Sequence, residues 1–151
     1  MSRIKIDGLE ICDLSAGYWS EIILGGPDDL ATYRGEDDVV PEASGMDPGL
    51  WVAESRILRI QTLIVGDGAT GTLAAQSYRS RADALAAKMD PASTISVVVY
   101  APLFGLSSGQ TATLAGCRPQ NITGAPAMGD QGRLVVLELK SIASPPNWVI
   151  A

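Results

Sequence analysis

The sequence predicts an α+β domain that is mostly β: an antiparallel β-sandwich or open barrel with one packing helix and a long arm. Three observations carry this expectation. Several runs alternate apolar and polar side chains with the period of a strand. One stretch, residues 71–89, carries its apolar residues at the helical period. One stretch rich in proline, glycine and acid, at about residues 25–54, fits neither pattern. The chain has 151 residues, 46% hydrophobic and 19% charged, which suits one domain over residues 1–151 and is too apolar for disorder. A domain of that size buries about 70% of the surface its unfolded chain exposes, so it needs no metal or disulfide staple.

The first strand falls at residues 2–7, where Ile4 and Ile6 alternate with Arg3, Lys5 and Asp7. Residues 18–24, rich in aromatic and β-branched side chains, read as a second, ended by Gly25-Gly26-Pro27. The stretch at 25–54 holds Pro27, Pro41, Pro48 and the acidic run Glu36-Asp37-Asp38, with strand fragments at Thr32-Tyr33-Arg34 and Val39-Val40. It is too long for an ordinary connection and carries Leu50, Trp51 and Val52, so it reads as an extended arm or long hairpin that orders against a partner.

Residues 56–65 form the clearest strand, with Leu58, Ile60, Thr62 and Ile64 on one face and Arg59 and Gln61 on the other. In the helix, Tyr78, Ala82, Leu85 and Met89 make one apolar stripe; Thr70 or Thr72 caps its start and Asp90-Pro91 ends it. Strands follow at 94–101, 111–118 and 133–142, the last with Val135, Leu137 and Leu139 inward and Glu138 and Lys140 outward. Turn-rich segments at 105–109 and 124–132 separate them, and the tail Pro145-Pro146-Asn147-Trp148 is extended.

Charge is split along the chain. Residues 1–54 hold twelve acids and three bases, a net −9, and residues 55–151 hold five acids and eight bases, a net +3. The first third is thus a poor nucleic-acid surface, and the two parts could dock on each other between neighbouring copies. No apolar run approaches the roughly 18 residues of a membrane span, and the N-terminus lacks a signal-peptide core, so a cytoplasm-like compartment is expected. Cys12 and Cys117 stand outside any C-x-x-C pair and read as buried, reduced thiols, with a long-loop disulfide as the alternative.

The catalytic inventory is thin. The chain has no histidine, which removes the usual general base, the histidine-containing triads and most zinc sites. Glu36-Asp37-Asp38, with Asp28, Asp29 and Asp47, offers oxygen ligands but not the order of a calcium loop. No metal, cofactor or catalytic residue is expected. Gly66-Asp67-Gly68-Ala69-Thr70-Gly71 matches G-x-G-x-x-G between a strand and a helix, the setting of a dinucleotide fingerprint. Against it stand the polar mid-strand residues Arg59 and Gln61, the missing acid after the next strand, and the single helix. A small nucleotide-binding module using residues 66–71 is the alternative from another class. Trp51 and Trp148 are candidate intersubunit anchors, against the plainer reading that each covers part of a core.

With these parts in order, the chain resembles the ring-forming tail proteins of long-tailed bacteriophages, in particular the distal tail (baseplate hub) protein and its tail-tube relatives. The resemblance rests on Arg34-Gly35-Glu36-Asp37-Asp38-Val39-Val40-Pro41 with Gly45. The strand from Arg56 to Gly66, the helix at 73–89 and the closing strands through Glu138 follow, so that it covers about residues 18–143. It implies a structural, non-enzymatic subunit of the virion, forming a homohexameric ring around the DNA channel with other tail proteins as neighbours. It implies neither sequence-specific nucleic-acid binding nor membrane insertion. Tyr33, Arg34, Glu36, Asp37, Asp38, Trp51 and Trp148 are the expected intersubunit contacts. A major tube subunit or another minor tail protein is the alternative within the family.

Overall fold

Alternating apolar side chains bury one face of a strand and leave the other wet, and most of this chain is built on that rule. The computed structural model describes residues 3–29, 33–34, 38–39, 46–47, 52–53, 55–124, 132–143 and 146–151. In chain order the elements are β1 (Ile4–Ile6), β2 (Leu9–Glu10), β3 (Tyr18–Leu24), β4 (Tyr33–Arg34), β5 (Asp38–Val39), β6 (Met46–Asp47) and β7 (Val52–Ala53). Then come β8 (Ile57–Val65), α1 (Gly71–Lys88), β9 (Ile95–Tyr100), β10 (Thr111–Gly124), β11 (Gly132–Ser141) and β12 (Val149–Ile150).

The main sheet runs β2-β1-β9-β10-β11-β8-β3, with β12 added beside β10, and every pairing is antiparallel. It is an open sheet, with β2 and β3 at its two ends, and not a closed barrel. The fold is therefore the mostly-β α+β class expected.

β10 joins the two halves. Its first part pairs with β9 and its second with β11, and a register shift interrupts each pairing, between Leu114 and Cys117 and between Pro119 and Asn121. Gly116 takes a positive φ of 62° at the first bulge, and Pro119, which lacks an N–H to donate, lies at the second. The bulges explain why this strand outruns the expected 111–118: the ladder resumes past the proline and continues to Gly124. The sequence pattern also passed over β2 and β12, both two residues long.

One core serves both halves. Ile4, Ile6, Val97, Leu114 and Cys117 meet Leu58, Ile60, Ile64, Val135, Leu137 and Leu139. The helix contributes Leu85 and Met89, with Tyr78 and Ala82 packed alongside, the stripe the sequence marks. Thr70 is the cap that forms, its hydroxyl oxygen accepting the Leu73 N–H at 3.2 Å. The buried hydroxyls of Ser20 and Thr62, register partners on β3 and β8, lie 2.9 Å apart, and Ser20 also donates to the Ile11 carbonyl. Both cysteines are buried and free, as read. No helix among the described residues is long and apolar enough to cross a membrane.

Candidate assembly surface

The segment between β3 and β8 leaves the sheet as nested ladders. β4 pairs with β7, placing Tyr33 opposite Ala53 and Arg34 opposite Val52. Further out, β5 pairs with β6, placing Asp38 opposite Asp47 and Val39 opposite Met46. Tyr33, Arg34 and Asp38 thus stand on paired strands. Glu36, Asp37 and Trp51 lie outside the described residues.

The root of this segment is tied down from three sides. Gly25 takes φ +79°, and a Cβ there would lie 2.1 Å from the Ile57 carbonyl oxygen, so only glycine lets the chain turn this close to β8. The Asp29 carboxylate accepts the N–H groups of Gly25 and Gly26, closing the turn. Arg56, where the segment rejoins the sheet, reaches back to the Gly26 and Asp29 carbonyls at 3.2 and 3.1 Å and to the Pro146 carbonyl at 3.1 Å. Trp148 donates its indole N–H to the Gly25 carbonyl at 2.8 Å. Its ring is half-buried and packs against both core clusters. Asp29, grouped by sequence with possible cation ligands, is a turn cap here, and Trp148 packs within its own chain. Arg56 escaped the sequence reading because its role appears only when the tail and the root of the arm are brought together.

The loop at 66–71 has a different logic from a phosphate cradle. A Cβ on Gly66 would fall 2.0 Å from the Ala74 carbonyl oxygen, and one on Gly68 would fall 2.6 Å from the Leu73 side chain. The glycines admit the helix's own backbone. The Asp67 carboxylate accepts from the Ser77 hydroxyl at 3.0 Å and pairs with Arg81 at 3.2 Å. The Ser77 hydrogen bond, and then Arg81, hold that acid below its ordinary value of 3.8. A carboxylate fixed in the loop repels a pyrophosphate.

The outer face of β8 and β11 is mixed, with Leu63 opposite Leu134 and charged side chains nearer the arm end. Arg59 and Glu138 are register partners and bond at 2.8 Å. At the far end of β3, Trp19 is 38% exposed with the Arg3 guanidinium 5.7 Å from its ring centre. Buried Cys117 has its thiol pushed up to about 12 by desolvation, so it is no nucleophile at neutral pH.

The molecule so defined is an open antiparallel sheet with one covering helix and a braced, laddered extension. No family model and no curated protein matches the chain. Among solved structures it is similar to the crystal structure of the SPP1 Dit (gp 19.1) protein, a paradigm of hub adsorption apparatus in phages infecting Gram-positive bacteria. The two are 16% identical with a TM-score of 0.57, over 93% of this chain and 49% of that one. The chain spans about half the length of that protein, and at this identity the likeness is one of fold.

Proposed function

We propose that this chain is a structural subunit of a bacteriophage tail. In this reading it forms a ring at the distal tail or tail tip, joining the tail tube to the baseplate or tip and surrounding the DNA channel. The observation that carries the proposal is the Dit-like fold over 93% of the chain. The braced root of the 25–54 segment supports it, because a contact arm must leave its own domain in a defined direction. Tyr33, Arg34, Glu36, Asp37, Asp38 and Trp51 make the intersubunit contacts. Trp148 sets the arm's direction by holding Gly25. The partners are further copies of the chain and neighbouring tail proteins, and the ring closes as a homohexamer by a heterologous contact.

Mass photometry of the purified chain, followed by negative-stain imaging, tests this. Closed rings of about six copies are expected for a cyclic assembly. A species that stays monomeric at every accessible concentration contradicts it.

A further inference from the structure

On β10 and β11, Arg118 and Lys140 are direct register partners, both exposed on the outer face of the sheet. Two like charges directly opposite each other cost a sheet stability. Among the described residues neither has an ion-pair partner: Glu138, two residues along the same face, is held by Arg59 at 2.8 Å. Ile57 continues the row as the partner of Lys140 on β8 and is 43% exposed. Leu24, the β3 partner of Arg59, is 44% exposed on the same face. The patch is thus an unmatched cationic pair bordered by apolar surface, which lowers the local dielectric and strengthens any ion pair formed there.

A knob of the opposite charge stands at the other end of the sheet. Leu14 is 64% exposed on the short 3-10 turn Leu14–Ala16. The turn is closed at both ends: the Asp13 carboxylate accepts the Ser15 N–H at 2.9 Å and the Ser15 hydroxyl at 2.7 Å, and Gly17 donates its N–H to the Leu14 carbonyl at 3.0 Å. An apolar side chain and a carboxylate are therefore presented together in a fixed geometry, with little ordering left to be lost on contact. Among the described residues Asp13 has no cationic partner. The knob leads into β3 at Tyr18, which pairs with Ile64, and the patch begins at Ile57, seven residues further along β8. At about 3.3 Å per residue the two surfaces lie roughly 23 Å apart, so a copy cannot seat its own knob on its own patch.

We infer that the Asp13–Leu14 knob of one copy docks on the Arg118–Lys140 patch of the next, with Leu14 against Ile57 and Leu24 and the Asp13 carboxylate toward the two cations. This rests on the ring reading above and adds a contact on the body of the domain to those of the arm. Each surface holds what the other lacks, an acid beside an apolar side chain and cations beside apolar side chains, which argues for a second copy as the occupant. Because the two surfaces differ and lie at opposite ends of the sheet, the contact is heterologous and runs head to tail.

Two variants of the full chain test the contact. The patch variant is Arg118→Glu with Lys140→Glu. The knob variant is Asp13→Asn with Leu14→Lys, since asparagine still caps the turn and Leu14 is exposed. Urea unfolding checks that both are folded; should either double variant unfold, the single changes Lys140→Glu and Leu14→Lys carry the same comparison. Each variant alone sets like charges across the contact, and sedimentation velocity should show each needing at least about tenfold more protein than the wild type to assemble. Mixed in equal amounts they should assemble close to the wild-type concentration, because in alternating copies the altered knob meets the altered patch and the unaltered knob an unaltered patch. If either variant alone assembles like the wild type, the contact is overturned and the ring reading stands. If both are folded and impaired but the mixture gains nothing, the two surfaces do not meet and the contact is again overturned. If the wild type never assembles, the ring reading falls and takes the contact with it.

Discussion

A methyl group on Gly66 would sit 2.0 Å from the Ala74 carbonyl oxygen and within 2.9 Å of Tyr78, both on the helix. Neither backbone nor helix can yield cheaply, so Gly66→Ala should lower stability by about 1–3 kcal/mol in urea unfolding. A flexible cradle loop would lose almost nothing. Next to it, Asp67 sets a pH dependence. Its folded pKa lies below the ordinary 3.8, so its contribution is complete above pH 3.8 and is lost as pH falls through the depressed value. Asp13, held low by the Ser15 side chain and backbone, acts in the same sense. Asp67→Asn should therefore lower stability at neutral pH, where that contribution is complete, and converge with the wild type in acid, flattening the acid limb of a stability-against-pH curve. Cys12 and Cys117 are both buried, and Cys117 is raised to about 12, so a thiol reagent should label neither until the chain is unfolded.

At the scale of elements, the strands with one buried face and the helix stripe were legible because period alone defines them. The two ends of β10 were not equally legible. Its start at Thr111 follows the pattern, but its continuation past Pro119 depends on pairing with β11, a contact made far along the chain. The long segment's departure from strand and helix patterns was visible in its prolines and acids, whereas its ladders depend on register that composition does not encode. The brace at its root was invisible too, because it joins Gly25, Arg56 and Trp148 through carbonyl groups. This brace should behave as a unit. Trp148→Ala should cost about 2–3 kcal/mol, less than a fully buried tryptophan. Combined with Arg56→Ala it should cost less than the two single losses together, because both hold the Gly25-Gly26 turn, a coupling that a double-mutant cycle measures.

For the whole molecule, the open sheet and its helix give a fold shared with SPP1 Dit, and the resemblance seen in the sequence pointed to that fold. The candidate contact was only half legible. The acidic run Glu36-Asp37-Asp38 stands out in the sequence, while the brace that directs the segment joins Gly25, Arg56 and Trp148, which lie far apart in the chain. The central claim is self-assembly, and mass photometry of the purified chain over a rising concentration series tests it most directly. The account predicts that monomer gives way to one closed species of about six copies, with no ladder of open intermediates. Monomer alone throughout the series, or an unbounded ladder of open oligomers, would contradict it.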